Sequence, residues 1–409
     1  MPRRRLDDAG SHARSVTALL ATNATNVHGW PKLKARSDDL IMPAGKNSTL
    51  VRPGQGATSA CLPQHDYLRY VRLRQTRWLN SSYVLSNNIW QRAIDDKILG
   101  YIFARSVGVP TPSVLFCDDR GPKALPEEWP PEWGCCFVIK PLFGFNDFGV
   151  MLIEDGIDRF TGVPLRGRED VLNHLRATNV PRLHKRTVYV ETVVRAEKQF
   201  YTRNATPPDY KFFMFGKTIG TIAIIAGRKT SGACMAWVDE NFERTDVHGC
   251  LCREVSRSSP CSFKHCDMLQ LQRPAQWDHM VKLARRLGNI VGMHMRIDLF
   301  AGSGGEPILG EFTPWHSNGK MHCDMRPLDD RSLQPGATRR RDGATGEPHW
   351  VDACRLGRLW LDAGVHEGGV VSQSTPAVLR GWPHLMYNEH AKCGAATKLL
   401  KPALIRAAG

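Results

Sequence analysis

Residues 295–314, which read MRIDLFAGSGGEPILGEFTP, constrain the fold of this chain more than any other segment. Two apolar, β-prone runs flank a cluster of turn-forming residues, which are Gly302, Gly304, Gly305 and Pro307. A Gly-Gly centre between two such runs is typical of a two-residue β-hairpin turn. The segment therefore predicts a hairpin that closes at Gly304–Gly305.

The register of that hairpin brings two acidic residues face to face. It pairs Asp298 with Glu311 and Phe300 with Leu309, and directly paired Cβ atoms lie about 5 Å apart. Like charges in that position destabilise a sheet, whereas a bound Mg²⁺, which prefers carboxylate and phosphate oxygens, reverses the effect. Strand alternation places Arg296 on the same face as Asp298. The alternative is a hairpin with a slipped register, in which both acids are solvated.

Length and charge set broad limits on the class of protein. With 409 residues, of which 42% are hydrophobic and 23% charged, the chain can form two or three lobes with a sizeable core. A net charge of +15 favours an anionic partner, such as a nucleotide, a nucleic acid or an acidic polymer. We find no zinc-finger spacing and no basic stripe interleaved with aromatic residues, so we expect no nucleic-acid partner.

The sequence gives mixed signals about the cellular compartment. No apolar run approaches the roughly 18 residues that a membrane helix needs, so we expect no membrane span. The first 15 residues resemble an organelle transit peptide in composition, but Asp7 and Asp8 count against one. Four sequons would permit glycosylation in a secretory lumen: Asn23, Asn47, Asn80 and Asn204. The expected compartment is the cytoplasm, with an organelle or the secretory lumen as the alternative.

Several of the twelve cysteines cluster within residues 248–266. The cluster offers five candidate ligands for tetrahedral Zn²⁺: Cys250, Cys252, Cys261, His265 and Cys266. Their spacing matches no common zinc motif. We therefore expect an insertion loop without zinc, whose cysteines are reduced thiols or, in a lumen, disulfides.

The order of patterns along the chain predicts an α+β fold. Residues 1–60 lack periodicity and are expected to form a disordered leader. Residues 61–130 form a helical N-terminal lobe, with a helix that ends at Gly108, and residues 131–195 a small lobe. Residues 196–325 form a large lobe with the Cys-rich insertion, and residues 326–409 a linker and a C-terminal extension, with a helix near residues 351–361.

A second predicted hairpin, over residues 136–155, has features of a phosphate site. Its first strand ends at Lys140, and Gly144 and Gly149 bracket the loop before the returning strand. Glycines let backbone N–H groups approach phosphate oxygens, and a lysine at a strand end supplies a positioned charge. No Walker A motif occurs in the sequence. An ordinary hairpin is the alternative.

Two further strands carry charged residues in apolar surroundings. Glu191 lies within the strand TVYVETVV, where a charge is costly unless it is paired or hydrogen-bonded. Residues 209–228 predict a hairpin that turns at residues 215–217, with Asp209 and Lys211 at its open end. Basic residues facing two carboxylates suit a site for ATP and Mg²⁺. Salt bridges at a sheet edge are the alternative interpretation.

The order of these motifs resembles that of the ATP-grasp superfamily, and most closely its TupA-like, polysaccharide-biosynthesis branch. The similarity covers residues 83–325, and its motifs are Asp96–Lys97 with GVPTP, FVIKP with Gly144 and Gly149, Glu191, Asp209–Tyr210–Lys211, Asp239, and RIDLFAGSGGEPILGEFTPWHSNG. The resemblance implies an ATP-grasp fold, in which two α+β lobes hold ATP between them.

The resemblance also implies roles for individual residues. Lys140 would contact the ATP phosphates, aided by the glycine loop of Gly144 and Gly149, and the strand of Glu191 would run past adenine and ribose. Asp298 and Glu311 would bind Mg²⁺. The remaining site residues would be Lys97 and Lys211 as further phosphate contacts and Arg296 as the group that steadies an acyl phosphate. Thr313 stands where many members have a metal-binding asparagine.

The function that this resemblance implies is an ATP- and Mg²⁺-dependent carboxylate–amine or carboxylate–thiol ligase that acts through an acyl phosphate. Its partners would be ATP, a small-molecule or glycan carboxylate and an amine acceptor, in polysaccharide or glycopeptide biosynthesis. Arg296 and Lys211 would be the catalytic residues. The alternatives are a kinase for a sugar or inositol on the same scaffold and a non-catalytic binder of nucleotide or acidic glycan.

Overall fold

A computed structural model of the chain describes residues 71, 74–75, 77–142, 149–178, 187–195, 206–227, 233–244, 264–266, 271–314, 359–360 and 375–400. The predicted leader, Gly144, three of the candidate zinc ligands and the predicted linker lie outside these residues. Most of the helix predicted near residues 351–361 lies outside them too. No helix in the described part is long and apolar enough to cross a membrane.

The described elements are α-helices, β-strands and short 3₁₀ helices. The α-helices are α1 Ser81–Ser86, α2 Lys97–Ser106, α3 Arg168–Ala177, α4 Trp277–Val291, α5 Trp382–Tyr387 and α6 Glu389–Leu399. The strands are β1 Val114–Asp118, β2 Cys136–Pro141, β3 Met151–Glu154, β4 Ile157–Asp158, β5 Val188–Thr192, β6 Asp209–Phe215, β7 Thr218–Ala226, β8 Cys234–Val238, β9 Lys264–His265, β10 His294–Ala301 and β11 Pro307–Thr313. Short 3₁₀ helices span Trp90–Asp95, Gly121–Ala124, Pro131–Trp133 and Ala377–Leu379.

The first sheet has five strands in the order β1-β5-β2-β3-β4, and all neighbours are antiparallel. The predicted hairpin of residues 136–155 is its β2–β3 pair. Alternate residues of β2 are buried, as period-2 strands with one covered face require. Together with α3 they enclose a small core that includes Phe137, Ile139, Val171 and Leu175.

The second sheet has six strands in the order β11-β10-β6-β7-β8-β9, antiparallel except for the β8–β9 pair. Its hairpin β6–β7 turns at Gly216 and Lys217, as predicted. Helix α4 packs Trp277 against Tyr210 and Phe212, with ring centroids 5.8 and 5.7 Å apart. Two mainly antiparallel sheets with packed helices confirm the predicted α+β class.

Helix α2 is preceded by a capping residue, Asp96, and followed closely by a glycine, Gly108. The carboxylate of Asp96 accepts hydrogen bonds from the backbone N–H groups of Ile98 and Leu99, which would otherwise be unpaired. Gly108, with φ of +72°, follows the helix and adopts the left-handed conformation that glycine tolerates best. The predicted helix end at Gly108 is therefore confirmed.

The hairpin β10–β11 confirms one predicted pair and corrects another. Asp298 is paired with Glu311, as predicted, but Phe300 is paired with Ile308 instead of Leu309. A β-bulge between Asp298 and Leu299 shifts the register by one residue, and the turn spans residues 302–306 rather than two residues. The bulge contains Gly310, where a Cβ would come within 2.7 Å of the Phe300 ring.

Candidate functional site

The candidate site is built on β10, the strand between β6 and β11. In this arrangement Asp298 is paired with Glu311 on one side and with Lys211 on the other. Asp298 is 3% exposed and Lys211 5% exposed, so this pair of charges lies almost out of solvent. Three consecutive strands of one sheet thus bring the predicted metal ligands and one predicted phosphate contact together.

Arg296 links both carboxylates through a single guanidinium group. Its Nε donates to Asp298 Oδ1 at 2.7 Å, and its Nη2 donates to Asp298 Oδ2 and Glu311 Oε1, each at 2.8 Å. Two carboxylate oxygens from different strands therefore converge on one nitrogen. The like charges of Asp298 and Glu311 are compensated here by protein cations, as buried charges require.

Two lysines complete the compensation of the carboxylate pair. Lys97, the first residue of α2, donates to Glu311 Oε2 at 2.7 Å. Lys211 donates to Asp298 and lies 3.7 Å from the nearest carboxylate oxygen of Asp209. The basic residues predicted to face the two carboxylates are therefore present, and each lysine contacts an acid, as the alternative of salt bridges also expects.

These contacts shift the proton affinities of the residues involved. Burial alone raises the pKa of Glu311, but the charges of Lys97 and Arg296 outweigh it and hold that pKa well below the usual glutamate value. Burial alone lowers the pKa of Arg296, and Asp298 and Glu311 raise it again, above its ordinary value. Glu311 is thus held ionised, which is the form of a carboxylate that binds a metal ion.

A second cluster surrounds Glu191 on the five-stranded sheet. Lys140 on β2 donates to Glu191 Oε1, and Tyr101 on α2 donates to Glu191 Oε2 at 3.0 Å. Lys140 is paired with Tyr189 on β5, so Glu191 is its diagonal neighbour on the same face. Glu191 is 2% exposed. The expectation that a charge in this strand must be paired is confirmed.

Helix α2 connects the two clusters. Lys97 and Tyr101 are four residues apart and so share one face of the helix, from which they reach Glu311 and Glu191, one on each sheet. Burial, followed by the negative charge of Glu191, raises the pKa of Tyr101 well above its usual value, so the phenol remains a hydrogen-bond donor. Tyr101 was not predicted as a site residue. Its spacing of four residues from Lys97 indicates that the two side chains share one face of a helix.

The remaining predicted positions are less informative. Gly149 lies just before β3 with φ of +74°, while its loop partner Gly144 is outside the described residues. Asp239 caps a local turn by accepting from the N–H groups of Asn241 and Glu243.

A cavity of about 270 Å³ lies beside the end of β5, the strand that carries Glu191. It is lined by Thr111, Pro112, Ser113, Thr192, Val193, Val194, Arg195, Ser303, Gly304 and Ile308.

The carboxylate oxygens of Asp298 and Glu311 suit Mg²⁺, which takes only part of its ligands from the protein, better than a metal ion held entirely by protein side chains. Among the described residues, no group of three or more His, Cys, Asp or Glu side chains is arranged to hold a metal ion. Mg²⁺ commonly binds through one or two carboxylates and completes its shell with water and substrate phosphate oxygens. Two converging carboxylates meet that requirement.

Within the described ranges, two disulfides lie outside the site. Cys234 is bonded to Cys266, one of the five candidate zinc ligands, and Cys117 is bonded to Cys393. Cys250, Cys252 and Cys261 lie outside the described residues, as does the side chain of His265. The cysteine pattern predicted neither pairing, because Cys234 lies outside the Cys-rich cluster and 276 residues separate Cys117 from Cys393.

No family model and no curated protein sequence matches this chain. Among solved structures, D-alanine–D-alanine ligase from Bacillus anthracis in complex with ATP aligns with a TM-score of 0.34 and 13% identity, over 68% of each chain. D-alanyl-alanine synthetase A from Vibrio cholerae aligns with a TM-score of 0.34 and 10% identity, over 67% of each chain. The ATP-grasp ligase PsnB aligns with a TM-score of 0.28 and 14% identity, over 59% of this chain and 54% of PsnB. At these values the function of the present chain rests on its own site residues.

Proposed function

We propose that this protein is an ATP-grasp enzyme, an ATP- and Mg²⁺-dependent ligase that joins a carboxylate to an amine. One observation carries the proposal: oxygens of Asp298 and Glu311 converge at 2.8 Å on the single Nη2 atom of Arg296. One cation is therefore within reach of both carboxylates at once. Asp298 and Glu311 would hold Mg²⁺, which when bound would neutralise charge on the ATP phosphates.

Charge balance supports a polyphosphate ligand. The two clusters contain four cations and four carboxylates: Lys97, Lys140, Lys211 and Arg296, with Glu191, Asp209, Asp298 and Glu311. A divalent metal ion held by Asp298 and Glu311 would add two positive charges to this balanced set and leave their protein cations available for new anions. Lys97, Lys211 and Lys140 would then contact phosphate oxygens, and Arg296 the oxygens of an acyl phosphate.

The proposed reaction needs no protein nucleophile. A carboxylate oxygen of the substrate attacks the γ-phosphorus of ATP, the bond to ADP breaks, and an acyl phosphate forms. The amine nitrogen then attacks the carbonyl carbon, phosphate leaves, and the amine proton passes to solvent. Lys211 and Arg296 would offset the negative charge that develops on the transferring phosphoryl group and on the carbonyl oxygen.

We also propose a cellular compartment for this protein. Disulfides persist mainly in oxidising compartments, and the described part of this chain contains two, so we favour the secretory lumen or an organelle over the cytoplasm. The sequon at Asn80 supports this, because Asn80 is exposed and caps α1 through its Oδ1, whereas glycosylation occurs at the amide nitrogen. A carboxylate–amine ligase acting on a polysaccharide or glycopeptide precursor remains the favoured role.

Product analysis separates the ligase from a kinase. The protein is incubated with ATP, Mg²⁺, hydroxylamine and a panel of carboxylates, and ADP, phosphate and hydroxamate are measured. The ligase gives equal amounts of the three, because hydroxylamine intercepts the acyl phosphate. A phosphate ester with ADP and no free phosphate would support the kinase, and binding of ATP without any product would support the non-catalytic binder. Asp298→Asn serves as the inactive control.

A further inference from the structure

The C-terminal helix α6 contains a lysine that is completely buried. Lys392 is 0% exposed, and its Nζ donates to Asp96 Oδ2 at 2.6 Å, across 296 residues of sequence. Burying an ammonium group is costly unless a paired acid compensates it. A hydrophobic residue at this position would fill the same space without that cost. The pair of Lys392 and Asp96 therefore indicates a role other than packing.

The acid in this pair also begins the helix that reaches the site. While Oδ2 of Asp96 accepts from Lys392, its Oδ1 accepts from the backbone N–H groups of Ile98 at 3.0 Å and Leu99 at 3.2 Å. One carboxylate therefore joins α6 to the first turn of α2. Lys97 lies in that turn and donates to Glu311.

Helix α6 is itself fixed to the five-stranded sheet next to Lys392. Cys393 forms the disulfide with Cys117 on β1, and the backbone N–H of Val114 donates to the carbonyl of Leu400 at 2.8 Å. Arg105, near the end of α2, donates to the carbonyl of Leu399 at 3.2 Å. Contacts with the five-stranded sheet and with α2 thus fix the position of Lys392.

We propose that Lys392 is a positioning residue that acts through Asp96 to set where Lys97 meets Glu311 and the nucleotide phosphates. Because Lys392 acts through its contact with Asp96, it is not proposed as a catalytic residue. The C-terminal helix, which no motif of the sequence connects to the site, thereby becomes part of its supporting framework. The nucleotide part of this inference rests on the proposed function, whereas the link to Lys97 does not.

The test combines two substitutions in a double-mutant cycle. Lys392→Met should weaken MgATP binding about 10- to 100-fold by calorimetry, as loss of an orienting partner does. In a Lys97→Met background the same change should alter affinity less than about twofold, because the group it positions is gone. Lys398→Met, an exposed lysine of the same helix, is the matched control and should bind normally. A loss equally large in both backgrounds would overturn the inference.

A second readout needs no nucleotide. Lysines of the free protein are reductively methylated with ¹³C-formaldehyde, and the Lys97 resonance is assigned by its absence in Lys97→Met. Lys392→Met should shift that resonance and Lys398→Met should not. An unmoved resonance would overturn the inference, even if the protein binds no ATP and the proposed function fails.

The double variant Asp96→Asn/Lys392→Met guards against a variant that does not fold, because it leaves neither buried charge unpaired. The amide oxygen still caps α2. The expected effects on the Lys97 resonance and on MgATP affinity are those of Lys392→Met. If the double variant folds and both readouts match the wild type, the positioning role is wrong.

Discussion

The pair formed by Lys140 and Glu191 allows a structural role to be separated from a functional one. Replacing Lys140 with Met leaves the carboxylate of Glu191, which is 2% exposed, without its charge partner. Breaking a buried ion pair costs about 3–5 kcal/mol. Tyr101 still donates to Glu191, and the side chain of Lys140 is 20% exposed, so we expect a loss of about 2–3 kcal/mol in the free energy of unfolding.

The effect on nucleotide binding should have a different origin. If Lys140 donates a charge-assisted hydrogen bond to phosphate, Lys140→Met should weaken MgATP binding by about 1.5–3 kcal/mol. In a Glu191→Gln background the stability loss should almost disappear, because no buried charge is left unpaired. The loss of affinity caused by Lys140→Met should persist there.

Urea unfolding measures the stabilities, and isothermal titration calorimetry measures the affinities. Lys123→Met, an exposed lysine elsewhere on the chain, is the control and should change neither. If the affinity loss also vanishes in the Glu191→Gln background, Lys140 serves only to neutralise Glu191. Its assignment as a phosphate contact would then be wrong.

Three further predictions concern pH, disulfides and zinc. Burial, and next the positive charge of Arg74, lower the pKa of His294 well below 6.5. Below about pH 6.5 the unfolded chain therefore binds a proton that the folded protein does not. The free energy of unfolding should therefore fall by about 1.4 kcal/mol per pH unit below pH 6.5, and His294→Gln should flatten that slope; equal slopes in both proteins would argue against it. Reducing the Cys117–Cys393 bridge should cost about 2–5 kcal/mol of stability, which Cys117→Ser should reproduce without reductant; unaltered unfolding of Cys117→Ser would count against the bridge. Elemental analysis should find no stoichiometric zinc, since Cys266 is already bonded to Cys234, and one zinc per chain would contradict this.

The parts of the fold that could be predicted from sequence are those set by local patterns. The hairpin pairing of Asp298 with Glu311, the turn after Phe215 and the end of α2 near Gly108 all depend on residues close in the chain. The strand carrying Glu191 was also predictable, because a charge in an apolar run must find a partner.

The remaining features depend on contacts that no local pattern encodes. The bulge brings Gly310 close against the Phe300 ring, which a count of turn residues cannot reveal. The contacts of Asp96 with Lys392 and of Cys117 with Cys393 join segments almost 300 residues apart, so only the folded chain brings them together. The C-terminal helix was therefore predicted only as an extension without a place in the site.

Whether Asp298 and Glu311 bind Mg²⁺ together with ATP is tested by a calorimetric titration with a non-hydrolysable ATP analogue, in Mg²⁺ and in EDTA, of the wild type, Asp298→Asn and Glu311→Gln. Because the two carboxylates converge on one cation position, we expect one nucleotide per wild-type chain, bound far more tightly with Mg²⁺ than without it. Each variant should remain folded by circular dichroism and lose this dependence on Mg²⁺. Nucleotide binding by either folded variant with an unchanged Mg²⁺ dependence, or no binding by the wild type, would contradict the assignment of Asp298 and Glu311 as the Mg²⁺–ATP site.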